Sequence, residues 1–248
     1  MKIHYRRHMK IHYLQHVSFE DPGSILTWAK NRGCGVTNTP LYNYPKGGVP
    51  FPLMRDFDWL VIMGGPMNVY EEAEYPWLAE EKAFIKDAVD NGKLIIGLCL
   101  GAQLLSCVLG GAVARNPYKE IGWFPVTLTP EARSLPLFSF LPENPLVFQW
   151  HGNTFSIPPG AVLLAESGAC KNQAFMYRER IFAFQFHLEN TREIIQALAY
   201  HCGDELAAGQ AGGTYIQTGV ELLSHPEYIA QDNQWMNEFL TRLDIQYP

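Results

Sequence analysis

Short apolar runs alternate along the chain with longer segments in which apolar and polar residues are mixed. The runs at 58–63, 93–96 and 181–186 are mainly apolar, which predicts buried strands. Other predicted elements are a first strand from near Met9 and helices near 22–32 (with Pro22 in its first turn), 74–91 and 102–109. This βαβα order is typical of an α/β protein with an open, mostly parallel sheet and helices on both faces.

The pattern changes in the second half of the chain. Residues 112–187 contain shorter strand-like runs, such as 124–128 and 162–164, which we expect to add antiparallel strands. After residue 189 the composition becomes helical. The predicted helices of this tail are roughly 190–201, 203–209, 213–223 and 227–243. We expect the tail to cover one face of the sheet.

Three segments divide the chain. Residues 1–5 recur as residues 9–13, so we interpret residues 1–8 as a dispensable duplication. Residues 9–200 are predicted to form the main domain, and 201–248 a helical extension packed on it. The duplication places four histidines four residues apart, a spacing that would suit a metal site on a helix. They are His4, His8, His12 and His16. Because residues 10–17 alternate as in a strand, we predict no metal site.

Composition excludes several classes of function. The 248 residues suffice for one complete core. The net charge of −6 argues against nucleic-acid binding, and no apolar run approaches the ~20 residues that a membrane span needs. The five scattered cysteines are typical of a reducing cytoplasm and argue against a zinc site. The glycine-rich loops that bind nucleotides are absent, so we expect no cofactor.

The most informative motif joins the strand at 93–96 to the helix that follows it. Residues 97–101 read Gly-Leu-Cys-Leu-Gly, the pattern of a nucleophile elbow in which Cys99 is held at the sheet edge. Gly97 and Gly101 relieve crowding in the bend. The helix N-terminus favours a thiolate, and its free N–H groups can hold an oxyanion. The alternative is a buried cysteine that happens to lie near two glycines.

A base for this nucleophile is predicted at the end of the strand at 181–186. His187 and Glu189 follow the run, and side chains two residues apart point to the same side of a strand. Glu189 can therefore orient one ring nitrogen of His187 while the other faces the sulfur. The carboxyl ends of parallel strands gather at one edge, where α/β proteins place their sites. Taken alone, His187 would be interpreted as a core histidine.

Glycines also follow the strand at 58–63. Gly64 and Gly65 allow a backbone N–H to approach a ligand closely, so Gly65 can supply a second oxyanion donor beside the N–H of Leu100. Taken alone, the segment would be interpreted as an ordinary Gly-Gly-Pro turn.

Together these motifs resemble the class I glutamine amidotransferases, over roughly residues 9–200. The sequence is most similar to the glutaminase domain of GMP synthase and its free-standing relatives, which implies a flavodoxin-like fold. The motifs that carry the resemblance are Met63–Pro66, Gly97–Gln103 and Gln185–Glu189.

The resemblance implies a role for each matching residue. Cys99 would attack the side-chain amide of glutamine, His187 would carry the proton to ammonia, and Glu189 would orient His187. Gly65 and Leu100 would form the oxyanion hole. The substrate would be bound by Gln103 and by a loop that includes Trp150, Gly152 and Asn153, in which His151 is structural.

The acceptor of the ammonia is not apparent, because the ATP loop of GMP synthases is absent. The chain is therefore predicted to hydrolyse glutamine or another γ-glutamyl compound, or to feed a separate synthase as a subunit. The alternatives are a cysteine hydrolase of the peptidase or deglycase type, against which His187 and Glu189 count, and a non-catalytic binding protein. Under any of these functions, the helical tail could offer a homodimer contact or a docking site for a synthase.

Overall fold

The computed structural model describes residues 8–210 and 213–247. In this part of the chain, eight strands form one sheet and two form a separate ribbon. The strands are β1 (Lys10–Gln15), β2 (Gly35–Pro40), β3 (Trp59–Ile62), β4 (Leu94–Leu98), β5 (Val113–Pro125), β6 (Thr127–Leu128), β7 (Leu146–Phe155), β8 (Ala161–Glu166), β9 (Ala174–Tyr177) and β10 (Ile181–Phe184). The α-helices are α1 (Ser24–Arg32), α2 (Trp77–Asp90), α3 (Leu100–Val108), α4 (Pro130–Ser134), α5 (Arg192–His201), α6 (Gly203–Gln210), α7 (Gly219–Leu223) and α8 (Pro226–Gln246).

The large sheet has the strand order β2-β1-β3-β4-β10-β9-β8-β6. Its first five strands are parallel, and β9, β8 and β6 continue it in antiparallel fashion. The register places Ile95 of β4 beside Leu60 of β3 and Ile181 of β10. The predicted fold class, an open and mostly parallel sheet with added antiparallel strands, is confirmed. The carboxyl ends of β1, β3, β4 and β10 therefore meet at one edge.

The central strands are apolar throughout because both faces of the sheet are covered. Val61 and Ile96 belong to a core on the face that α1 and α8 cover. Leu60 and Ile95 belong to a second core, which α2 and α3 cover. The C-terminal helix contributes Met236, Phe239, Leu240 and Leu243 to the first core, so it packs as an integral layer of this fold.

Two predicted details of the helices are wrong. Pro22 precedes the N-cap residue Gly23 and does not lie in the first turn of α1. The helix predicted at 213–223 begins only at Gly219, because Ile216 pairs with Ile121 of β5 instead. The side chain of Thr218 then accepts a hydrogen bond from the N–H of Glu221 and starts α7. A tertiary backbone pairing outweighs helix propensity here.

The N-terminal prediction lies mostly outside the described residues, since residues 1–7 are not among them. His12 lies in β1 as expected, and its ring nitrogens contact the hydroxyls of Thr37 and Thr39 on β2 at 2.8 and 2.9 Å. The division of the chain at residue 200 stays a prediction. Among the described helices, none combines the length and apolar character that crossing a membrane requires.

Candidate active site

The elbow predicted between β4 and α3 is present. Cys99 has φ 50° and ψ −104°, a backbone conformation that residues with side chains rarely adopt. A Cβ atom at Gly101 would lie 2.2 Å from the carbonyl oxygen of Ile62, and one at Gly97 would lie 2.7 Å from that of Gly101. A side chain at either position would clash with the backbone, so both positions require glycine. The bend projects the cysteine from the edge of the sheet at the start of a helix.

His187 and Glu189 meet beside it, as expected from their position after β10. The His187 Nδ1 contacts the Glu189 Oε1 at 2.6 Å, and both side chains are buried. The backbone N–H of His187 donates to the carbonyl of Phe148 in β7, which fixes the histidine between two strands. Glu189 thus occupies one ring nitrogen and leaves Nε2 for another partner.

The charge of Glu189 controls the protonation of His187. Burial by itself lowers the pKa of His187, but the Glu189 carboxylate and the Cys99 sulfur outweigh it, and the net pKa lies well above the usual value. The structure therefore favours an imidazolium at this position. A positive ring close to a cysteine at a helix N-terminus is the setting that stabilises a thiolate.

An amide network surrounds the sulfur. The Gln185 Nε2 donates to the Cys99 Sγ at 3.5 Å and the Gln103 Nε2 donates to the Gln185 Oε1 at 3.1 Å. The sulfur also lies 3.5 Å from the carbonyl oxygen of Trp150. The sequence analysis did not assign a role to Gln185. Its position, two residues before His187 in an otherwise apolar run, was the available signal.

The backbone N–H groups of Gly65 and Leu100, near Cys99, have no acceptor among the described residues. The neighbouring donors are occupied: Cys99 N–H donates to Phe184, and Gly101 N–H donates to Met63. Since Leu100 is the first residue of α3, its N–H has no partner within the helix. The two residues predicted as oxyanion donors therefore keep free N–H groups.

These groups surround a cavity of about 310 Å³. The predicted residues on its wall are Gly65, Cys99, Gln103, Trp150, Gly152, Asn153 and His187. Glu189, which contacts His187, and Leu100, the first residue of α3, do not line the cavity. Segments far apart in the sequence are therefore brought to one site. A cavity of this size accommodates a small amino-acid derivative.

His151 also borders the cavity, but its ring nitrogens are both occupied. Nδ1 contacts the carbonyl oxygen of Asn153 at 2.9 Å, and Nε2 contacts the Glu120 Oε2 at 3.0 Å. Glu120 accepts further hydrogen bonds from Gln173 and Ser167. His151 therefore belongs to a closed polar network, in agreement with the structural role expected for it.

One wall of the cavity comes from the C-terminal helices. Leu198 of α5 and Glu205 of α6 line it, together with Cys202 between the two helices. The Lys119 Nζ donates to the Glu205 Oε1 at 2.5 Å, and the Trp150 Nε1 donates to its Oε2 at 3.0 Å. These three residues were not predicted as part of the site, because nothing local in the helical tail indicates which residues face the cavity.

A second missed residue is Glu20, in the loop between β1 and α1. It lines the cavity, is 4% exposed, and has no hydrogen-bond partner among the described residues. Burial raises its pKa, and Glu189 raises it further, while His187 and His16 oppose the shift. A carboxyl group whose pKa is raised by burial and that lines the cavity with His187 is a candidate functional group.

Most of the sequence matches a known protein family. A model of the family described as class-I glutamine amidotransferase matches residues 25–196. The glutamine amidotransferase-like protein YfeJ of Salmonella typhimurium is 35% identical over 237 residues, which cover 94% of this chain and 95% of that protein. A glutamine-hydrolysing GMP synthase of Macrococcus caseolyticus is 32% identical over 132 residues, which are 52% of this chain and 24% of the synthase.

The fold is also similar to that of a solved structure. The crystal structure of a glutamine amidotransferase from Thermotoga maritima matches with a TM-score of 0.83 and 28% identity, over 96% of this chain and 98% of that one. The similarity therefore extends beyond the sheet into the helices of the C-terminal tail.

Proposed function

Because the chain belongs to the class I glutamine amidotransferase family, we propose that it hydrolyses the side-chain amide of glutamine or of another γ-glutamyl compound. Cys99 is the nucleophile, His187 the acid and base, and Glu189 the group that orients His187. The observation that carries the proposal is the conjunction of the strained elbow at Cys99 with the buried His187–Glu189 pair on the wall of one cavity.

The chemistry follows from this arrangement. The Cys99 thiolate attacks the amide carbon, and the oxyanion forms next to the N–H groups of Gly65 and Leu100. The carbon–nitrogen bond breaks as His187 gives its proton to the departing ammonia or amine, which leaves a thioester. Water then attacks the thioester while His187 takes a proton, the carbon–sulfur bond breaks, and a γ-carboxylate is released.

We further propose that the enzyme acts by itself. Leu198, Cys202 and Glu205 belong to the chain's own C-terminal segment and form one wall of the cavity, so this wall needs no second protein. The Glu205 contacts with Lys119 and Trp150 fasten this wall to the β5–β7 ribbon. A glutaminase subunit that feeds a separate synthase is the competing function, and it predicts activity only with that partner present.

The test is ammonia or amine release by the purified full chain from L-glutamine and a set of γ-glutamyl amides, without any partner. A glutamine-mimicking diazoketone should label Cys99, as mapped by peptide mass spectrometry. Cys99→Ala should abolish both results while leaving thermal unfolding unchanged. Hydrolysis by the Cys99→Ala protein would refute the assigned nucleophile, and activity confined to mixtures with a second protein would support the subunit.

Cys202 offers a matched control within the same cavity. Burial, Glu205 and Glu20 raise the pKa of its thiol to about 11, so it is not a thiolate at neutral pH. Cys202→Ala should therefore keep both hydrolysis and labelling. If the diazoketone labelled Cys202 instead of Cys99 in the wild-type protein, the elbow would not activate Cys99.

A further inference from the structure

We propose that His16 is a positioning residue that fixes the peptide between Gly64 and Gly65 in the orientation needed for the oxyanion hole. The inference rests on the proposed function and adds to it residues outside the Cys99, His187 and Glu189 set. It concerns the segment that follows β3, where glycine gives the backbone the freedom to turn.

The contacts of His16 are specific and fully enclosed. Its side chain is completely buried, its Nδ1 lies 2.9 Å from the carbonyl oxygen of Gly64, and its Nε2 lies 2.9 Å from the Glu81 Oε1 on α2. Because a carbonyl oxygen only accepts, Nδ1 must carry the proton and donate it to Gly64. The ring also packs on Trp77, with centroids 5.6 Å apart. Its orientation is thus set from three directions.

The charge state agrees with this geometry. Burial alone lowers the pKa of His16, but Glu81 and the Gly64 carbonyl outweigh burial, so the net pKa is raised. Both ring nitrogens then donate. Glu81 thereby orients the His16 ring, and the ring in turn binds the carbonyl oxygen of Gly64.

The consequence for Gly65 follows from the planar trans peptide. The C=O of Gly64 and the N–H of Gly65 belong to one peptide unit and point in opposite directions. With the carbonyl bound to His16, the N–H is directed away from His16, and it has no acceptor among the described residues. Gly65 lines the cavity with Cys99. We call the contacts of His16 with Glu81 and with the Gly64 carbonyl the clamp. The clamp therefore keeps one oxyanion donor available before the substrate arrives.

Space requires the same arrangement. A Cβ atom at Gly65 would lie 2.9 Å from the His16 Cβ and 3.2 Å from a methyl group of Leu100. His16, Gly65 and the elbow are therefore packed against each other directly. Without His16, the peptide would be free to turn its carbonyl into the cavity and remove the donor.

Two substitutions of His16 separate the contact with Gly64 from the contact with Glu81. The side-chain amide of His16→Asn lies near the place of Nδ1 and can still donate to Gly64. That of His16→Gln lies near the place of Nε2 and keeps only the contact with Glu81. We expect His16→Gln to lower kcat for amide hydrolysis by about 10²–10³-fold with little change in KM. His16→Asn should stay within about tenfold of the wild type.

Alkylation of Cys99 by iodoacetamide is the second measurement. This displacement needs the thiolate but forms no oxyanion, so its rate should be unchanged in both variants. Wild-type kcat in His16→Gln would overturn the proposal. So would an equal loss of hydrolysis in His16→Asn, or a parallel loss of hydrolysis and alkylation, because each would show that the Gly64 contact is not what matters.

A variant that removes the whole clamp guards against misfolding. If His16→Gln does not fold, the double variant His16→Leu/Glu81→Leu removes both partners of this buried pair together, and it should show the same selective loss of hydrolysis. Crystal structures give an independent result: the Gly64 carbonyl should turn toward the cavity in His16→Gln, and an unturned peptide would overturn the proposal. If the wild type hydrolyses no amide, the proposed function fails, while peptide orientation still tests His16.

Discussion

Two of the buried histidine–glutamate pairs in this molecule have their histidine on the wall of the cavity, and the two histidines differ in whether a ring nitrogen is left for a substrate. At the end of β10, His187 meets Glu189 at 2.6 Å; in the β5–β7 ribbon, His151 meets Glu120 at 3.0 Å. His151 uses its other nitrogen on Asn153, whereas the Nε2 of His187 remains available beside Cys99. The difference favours His187 over His151 as the proposed base, because both ring nitrogens of His151 already have partners within the protein.

The glutamates of the two regions also differ in what surrounds them. Glu120 accepts hydrogen bonds from Gln173 and Ser167 besides its contact with His151, so its charge is shared within a closed network. Glu189 accepts from His187 and from the backbone N–H of Leu188. Its charge therefore acts mainly on one ring, which raises the pKa of that ring.

The largest expected effect on kcat comes from replacing His187, with His151 as the comparison. His187→Ala should lower kcat for amide hydrolysis by about 10³–10⁴-fold, because the thiolate loses its partner and the leaving group its proton donor. His151→Ala should lower kcat far less and act mainly on thermal stability. Steady-state kinetics on the best γ-glutamyl amide, with thermal unfolding, would measure both. Equal losses of kcat in the two variants, with Glu189→Ala silent, would assign the base to His151.

Glu189→Gln should have the next largest effect, about 10–100-fold on kcat, because an orienting group contributes less than the base it holds. The pH profile gives the sharper test. Since Glu189 raises the pKa of His187, its removal should move the alkaline limb of kcat/KM to lower pH. An alkaline limb that stays in place would mean that Glu189 does not control the ionisation of His187.

The same change at Glu120 should lower stability and have little effect on kcat. Glu120→Gln weakens a network in which His151, Gln173 and Ser167 depend on one carboxylate, so we expect about 2–3 kcal/mol lower unfolding free energy. Its kcat should remain within about tenfold of the wild type. Chemical denaturation and kinetics on both variants measure the contrast. A variant that stays fully stable but loses activity would place Glu120 in the catalytic machinery.

Glu20→Gln should have the smallest effect, an increase in stability of about 1 kcal/mol near pH 7, since it removes a buried carboxylate that lacks a donor. The sign follows from linkage. Because the folded pKa is raised, the stability of the wild type is full below the unfolded pKa and is lost as the pH rises through the folded pKa. The gain should thus vanish at acidic pH. A gain that is independent of pH would contradict this explanation.

The sequence alone determined the elements whose signal is local. The elbow follows from two glycines and a cysteine at a strand-to-helix turn, and Gly97 and Gly101 are in fact places where a Cβ atom would clash. The His187-x-Glu189 spacing after an apolar run likewise needed only the alternation of side chains along a strand. The substrate-binding role expected of Trp150, Gly152 and Asn153 came from resemblance alone, and the expected loop is wrong, because the structure places these residues within strand β7.

Only the tertiary structure decided how the site is walled and held. Glu20 and Glu205 lie far apart in the sequence, and the tertiary fold brings both of them to the wall of one cavity. His16 and Glu81 are 65 positions apart in the sequence, and only the tertiary fold brings α2 beside the residue that follows β1. Polar residues in loops follow no periodicity, so their burial and their partners depend on which strands are neighbours. The sequence therefore determined the reactive groups, whereas the tertiary structure determined which polar groups orient them.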